Sequence, residues 1–332
     1  MRSLFMLAGL LAAGLLAACS GTPRAPTNAD PVLQSLGHGL WLLPGRFPRE
    51  RQPDGNSLVL EGRGALLVVD TGRHADHTQA LLDFALRRGR PITTVVNTHW
   101  HLDHLGGNAR LRDALPGLEV VGSPAVARAI AERFPASRRE LEGLLANPGT
   151  PPDVREMARV DLALYDRAAA MTPNRQIAGP AQTLTLAGRE VTVGHEAGAS
   201  EGDLWLLDRA SGVLAVGDLV TLPVPFLDTA CPAQWREALA RVDALPFERL
   251  LPGHGPVMER ATWRRWRAGF DALLDCAASD TPARTCSARW IENLGSLLAP
   301  ADHAVVHAMI GHYFAQRLRA ADRDRYCGAA TP

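Results

Sequence analysis

The order of elements along the chain predicts an α/β fold, with two sheets packed together and helices outside. Three observations lead there. Two β-rich runs are each followed by helices. Short apolar stretches punctuated by glycine read as strands of a meander. The β-branched run Ile92-Thr93-Thr94-Val95-Val96 reads as a buried strand that leads directly into a histidine-rich loop.

The first β-rich run contains Gly39-Leu40-Trp41-Leu42-Leu43, Ser57-Leu58-Val59-Leu60 and Ala65-Leu66-Leu67-Val68-Val69, closed by Asp70-Thr71-Gly72. His77 to Arg88 has helical periodicity, with Leu81, Leu82, Phe84 and Leu86 among its apolar residues. Asn108 to Ala114 reads as a short helix and Leu118 to Val121 as a strand. Residues 124–170 are mostly helical, broken around Pro148 to Pro152, and read as an insertion bordering the site.

Strand patterning returns at Thr183 to Leu186 and Glu190 to Val193. Leu204 to Leu207 and Val213 to Val216 flank Asp208 to Gly212, a hairpin signal. A helix is expected over Trp235 to Ala244 and a strand at Arg249-Leu250-Leu251. The remainder, 259–332, reads as a helical extension.

Apolar residues make up 46% of the 332, enough for a sizeable core. The 35 basic and 35 acidic residues balance, which argues against a nucleic-acid-binding surface. Arg2, an apolar run from Leu4 to Ala18 and then Cys19 describe a secretory signal over residues 1–18. Leu16-Ala17-Ala18-Cys19 resembles a bacterial lipobox, so Cys19 is the expected lipidation site and 19–34 a lipid-anchored linker. The expected location is the bacterial cell envelope, facing the periplasm, at the outer membrane. Cys231, Cys276, Cys286 and Cys327 remain in the exported part, an even number that suggests disulfides. Three pairings are open, and Cys276 with Cys286 is the most local.

The chemistry concentrates in His99-Trp100-His101-Leu102-Asp103-His104. Imidazole and carboxylate donors so closely spaced suit zinc first, with iron or manganese as alternatives. Gly106-Gly107 lets the backbone turn before the next helix.

Residues 99–104 match the H-x-H-x-D-H element of the metallo-β-lactamase-fold superfamily, and the chain resembles that superfamily over roughly 35–258. Asp70-Thr71-Gly72 matches its early D-T-G, Gly217-Asp218 its later G-D, and Pro252-Gly253-His254-Gly255 its final P-G-H-G. The resemblance implies a four-layer αββα sandwich with the site at one edge. It implies that His99 and His101 hold one metal with a third histidine, and that Asp103, His104 and His254 hold another. Asp218 would bridge the two, and Asp70 would support a ligand histidine from behind. One or two zinc ions would supply a bound hydroxide for hydrolysis, with Asp103 and Asp218 as the catalytic carboxylates.

One motif departs from the pattern. Where the superfamily carries its third histidine, this chain has Ala199 in Ala199-Ser200-Glu201-Gly202-Asp203. His195 would replace it if Glu196 to Gly198 bulge outward; Glu196 is a weaker substitute. Elsewhere, His74 and His77 read as surface residues at a helix start, and Trp263 and Trp266 as packing. His303 and His307 lie one helical turn apart without a third ligand nearby.

The expected substrate is a small molecule: an ester, thioester, lactone or related compound. The aspartate at 218 favours those branches over the zinc β-lactamases. Residues 202–235 resemble zinc hydrolases associated with quinoprotein relay systems. The alternatives are an envelope-anchored accessory or binding protein with a degenerate site, a β-lactamase, and an iron persulfide dioxygenase. Displacement of the third histidine argues against the last.

Overall fold

The computed structural model describes residues 32–48 and 51–327. The signal segment, Cys19 and most of the linker lie outside the described residues.

The first sheet takes its strands in chain order: β1 (Gln34–Gly37), β2 (Leu40–Leu43), β3 (Ser57–Glu61), β4 (Leu66–Val69), β5 (Ile92–Val96), β6 (Glu119–Gly122) and β7 (Arg175–Gln176). The second contains β8 (Gln182–Leu186), β9 (Arg189–Glu196), β10 (Asp203–Asp208), β11 (Val213–Ala215), β12 (Arg249–Leu251) and β13 (Met258–Glu259), in reverse spatial order. Period-two alternation builds the layers. Leu58, Leu60, Leu67 and Val69 join Leu204, Leu206 and Val213 in a core between the sheets. Their neighbours Val59 and Val68 face outward, onto Leu81 and Phe84 of helix α1 (Ala75–Arg88).

Two short helices, α2 (Leu102–Leu105) and α3 (Asn108–Ala114), follow the histidine loop. The expected helical stretch after β6 is four helices: α4 (Pro124–Glu132), α5 (Phe134–Ala146), α6 (Pro152–Tyr165) and α7 (Ala168–Met171). On the far side, Trp205, Leu207 and Leu214 pack against α8 (Pro232–Asp243) and the C-terminal helices α9 (Arg260–Ala278), α10 (Ala283–Leu294) and α11 (His303–Tyr313). Trp263 and Trp266 are fully buried and stacked there, 6.0 Å apart, as packing residues. The layers are therefore α, β, β, α.

Two disulfides form, Cys276–Cys286 and Cys231–Cys327. The first is the local pairing. The second ties the start of α8 to the end of the described chain.

Strand β4 pairs parallel with β5, and β11 parallel with β12. Parallel pairing sets the C-terminal ends of neighbouring strands side by side. Asp70, His99, Asp218 and His254 follow those ends.

Candidate metal centre

His99, His101, Asp103, His104, Asp218 and His254 converge in the space between the loops. Asp103 Oδ2 is 3.0 Å from His254 Nε2 and 3.6 Å from His104 Nε2. Asp218 lies between the two halves, with Oδ1 3.1 Å from His104 Nε2 and Oδ2 3.6 Å from His99 Nε2. Two sets of donor atoms could each hold an ion: His99, His104 and Asp218; and Asp103, His104 and His254; His101 is in neither set and joins the site through its Nδ1, 2.9 Å from His99 Nε2.

Supporting hydrogen bonds decide which ring nitrogen faces the centre. Asp70 follows β4 with φ at 59°, a left-handed conformation rare outside glycine. His104 Nδ1–H donates to Asp70 Oδ2 at 2.7 Å, so Nε2 is left as a donor to metal. The Thr98 hydroxyl also donates to Asp70 Oδ2, at 2.7 Å, and therefore accepts from His99 Nδ1–H, at 3.0 Å. On the opposite wall the Thr229 hydroxyl donates to the Ala199 carbonyl at 3.2 Å and accepts from His101 Nε2–H at 3.0 Å. This assignment leaves His99 Nε2 and His101 Nδ1 both deprotonated and 2.9 Å apart. In this tautomer a cation between the two nitrogens would satisfy both lone pairs.

The electrostatics agree. Burial opposes charge on His104, yet Asp218, Asp70 and Asp103 raise its imidazole well above the ordinary range. The field at Nε2 thus favours positive charge. Burial would raise the Asp103 carboxyl, but His104, His254 and Arg73 hold it well below the usual carboxylate range. Burial, with His104 and His101 nearby, keeps His99 neutral, the form that binds metal. Asp218 Oδ1 is buried without a hydrogen-bond partner among the described residues. These donors fit zinc chemically.

Backbone packing brings the loops close. A Cβ on Gly253 would stand 2.0 Å from Asp218 Oδ1, so only glycine allows the His254 loop to cross there. Residues Asp54-Gly55-Asn56 then lace three loops together. Asp54 Oδ1 accepts from the backbone N–H of Arg73 at 2.7 Å and of His74 at 2.9 Å. Gly55 N–H donates to the Asp103 carbonyl at 2.9 Å. The Asn56 side-chain amide donates to the carbonyls of Pro252 and Gly255, each at 2.9 Å. Arg73, its backbone held by Asp54, is partly buried with Nη2 3.7 Å from Asp103 Oδ1, and its other terminal nitrogen pairs with Asp161 of α6.

His195 is placed elsewhere. Strand β9 continues through Glu196, and His195 sits in register opposite Leu204. The bulge that would carry it towards His99 does not form there, because Glu196 pairs in turn with Asp203. Its ring lies beside Gly202, and neither set of converging donors includes it. Glu196 pairs with Arg241. Ala199 is buried, and its carbonyl, through Thr229, orients His101. His74 and His77 are buried, contrary to expectation. His74 Nδ1 meets Asp54 Oδ2 at 3.0 Å and His77 Nε2 meets the Ser57 hydroxyl at 2.8 Å. His307 meets the Ser287 hydroxyl at 2.6 Å.

A cavity of about 480 Å³ opens over the centre, with His101, Asp103, Asp218 and Arg73 at its floor. Trp100, Phe134, Leu141 and Met157 form one wall, and Phe226, Met309 and Tyr313 another. Its mostly apolar lining suits a ligand with a hydrophobic part. Thr98, Thr229, Asp54, Arg73 and Asp161 were not expected from sequence. For Arg73 alone there was a local signal, its place directly after the D-T-G turn.

Residues 51–254 match the family model described as the metallo-beta-lactamase superfamily. A hydroxyacylglutathione hydrolase from Gloeobacter violaceus is 35% identical over 91 residues, covering 27% of this chain and 33% of that protein. An (R)-specific secondary-alkylsulfatase from a Pseudomonas species is 30% identical over 195 residues, 51% of this chain and 29% of that protein. The chain thus spans about a third of the length of either relative. Among solved structures, a metallo-beta-lactamase from Pontibacter korlensis superposes with a TM-score of 0.54 at 18% identity, covering 72% of this chain and 98% of that one. With the two packed sheets and their flanking helices, the family match shows that this chain belongs to the metallo-beta-lactamase superfamily.

Proposed function

We propose that this protein is a zinc-dependent hydrolase of ester, thioester or lactone bonds, anchored in the bacterial cell envelope by a lipid on Cys19. The observation that carries the hydrolase reading is the convergence of buried imidazole nitrogens with the Asp103 and Asp218 carboxylates under a largely apolar cavity. The relatives named as a hydroxyacylglutathione hydrolase and an alkylsulfatase support it. The two disulfides support an oxidising compartment, which suits a periplasm-facing location at the outer membrane.

Asp103, His104 and His254 would hold one ion; His99, His101 and Asp218 would contribute to a second. Bound zinc supplies a nucleophile at neutral pH and polarises the substrate carbonyl. The chain's own groups do the rest. Asp103 and Asp218 present carboxylate oxygens that orient the attacking water. Asp70, Thr98 and Thr229 keep the imidazoles in one tautomer. Arg73 offsets the negative charge of Asp103, and the apolar walls keep bulk water away from the scissile bond.

Metal content of the purified protein, paired with a panel of thioesters, lactones, carboxylic esters, phosphoesters, sulfate esters and a β-lactam, tests this. Zinc at one or two equivalents and chelator-sensitive cleavage of a carboxylic ester, thioester or lactone are expected. A metal-free protein, or iron without zinc, would overturn the zinc-hydrolase reading.

A further inference from the structure

The loop 227–231 is held from the C-terminal extension in three ways. The Tyr313 hydroxyl donates to Asp228 Oδ2 at 2.9 Å. Arg317, nearly fully buried, donates from Nε to the Leu227 carbonyl at 3.0 Å and from Nη2 to the Ala230 carbonyl at 2.9 Å, gripping the backbone on both sides of Asp228 and Thr229. The disulfide Cys231–Cys327 then fastens the end of the loop. Thr229 accounts for part of this restraint, since it orients His101. Asp228 has no such task, yet it lines the cavity beside His101.

Of the other carboxyl groups lining the cavity, Glu140 is carried by α5 in the helical wall, and the three at the floor are committed. Asp103 and Asp218 face the ligand imidazoles, and Asp161 pairs with Arg73. Asp228 is in neither set of converging donors, and it lines the cavity that a substrate would occupy. Hydrolysis of an ester leaves an alkoxide that must gain a proton as the C–O bond breaks, and a carboxyl group at the cavity wall can deliver it. Tyr313 donates to Oδ2, which leaves Oδ1 to carry the transferable proton.

We propose that Asp228 is a further catalytic residue, the proton donor to the leaving group, with Tyr313 and Arg317 as its positioning residues. This rests on the hydrolase reading above. The attacking water gives its hydroxyl to the acyl carbon; the acyl–oxygen bond breaks, and its electron pair takes the proton from Asp228. The proton left over from the water restores the carboxyl group.

The test is a series of esters of one acyl group, from p-nitrophenyl through phenyl to ethyl, with kcat and zinc content measured for wild type, Asp228→Asn and Tyr313→Phe. An unaided p-nitrophenolate leaves readily, whereas ethoxide does not. Asp228→Asn should lose about 100- to 1,000-fold on the ethyl ester and under about threefold on the p-nitrophenyl ester, with zinc content unchanged. Tyr313→Phe should lose about tenfold with the same dependence on leaving group. An equal loss across the series, no loss, or loss of zinc in Asp228→Asn would overturn the assignment. A wild-type protein that cleaves none of the esters would overturn the carboxylic-ester reading and this assignment with it. A wild type that cleaves them while Asp228→Asn matches it would overturn only the assignment.

Discussion

Asp70 and His104 meet through a 2.7 Å hydrogen bond from Nδ1 to Oδ2, and that contact turns Nε2 towards Asp218, Asp103 and His254. The same oxygen accepts from Thr98, so one carboxylate orients His104 directly and His99 through the threonine. Asp70→Ala should lower metal affinity by about 10- to 100-fold, the usual effect of removing a group that orients ligand histidines. Competition titration with a chromophoric zinc chelator measures it; affinity within twofold of wild type would disprove the orienting role.

Gly55 lies against the His104 ring. A Cβ there would come within 2.4 Å of Cε1 and 2.8 Å of both ring nitrogens. Gly55→Ala should therefore displace the ligand, with weaker metal binding and a loss of about 1–3 kcal/mol in folding stability. Zinc titration and urea unfolding of the variant check both effects.

Metal removal should destabilise the fold, because buried like-charged carboxylates and facing lone pairs lose the cation that reconciles them. Excess zinc at about 100 times its dissociation constant should contribute about 3 kcal/mol. Thermal unfolding with chelator, then with zinc restored, should give a reversible fall in Tm. His254→Ala, which removes one donor, should show a smaller difference between the two conditions.

His77 gives a pH dependence that does not come from a metal ligand. Burial brings its imidazole down from 6.5 to about 4. The unfolded chain binds the proton more readily between those values, so stability falls as pH drops through that window and levels off below about 4. The loss attributable to this residue should reach about 3 kcal/mol. Urea unfolding of wild type and His77→Gln at pH 7 and pH 4.5 isolates it, since other groups titrate in both proteins. Equal losses in the two proteins would remove His77 as the cause.

The two disulfides should differ in weight. Their Cys pairs are separated by 96 and 10 residues, and longer loops lose more entropy when closed in the unfolded chain. Replacing Cys231 and Cys327 by serine should cost about 5 kcal/mol, and replacing Cys276 and Cys286 about 3 kcal/mol. Denaturant midpoints of the two double variants compare them directly.

Much of the architecture can be read along the chain. Alternation at Leu58-Val59-Leu60 and at Leu66-Leu67-Val68-Val69 encodes strands with one face on each core. The candidate ligands His99, His101, Asp103 and His104 are close in sequence because one loop carries them, and Asp218 and His254 stand in short motifs whose glycines allow the backbone turns made there. These are local signals, set by ligand chemistry and backbone sterics over a few residues.

Other features depend on where distant segments meet. Ala199 was visible as a missing histidine, but only strand pairing keeps His195 opposite Leu204, and only the folded wall makes the Ala199 carbonyl part of the support for His101. His74 and His77 look like surface residues of a helix start until the 54–57 segment covers them. Arg73 meets Asp161 across 88 residues, and Asp228 meets Tyr313 across 85. The histidine loop is thus written in residue order, while the groups that hold and complete it come from packing, since a buried polar group takes whichever partner the closed fold brings within reach.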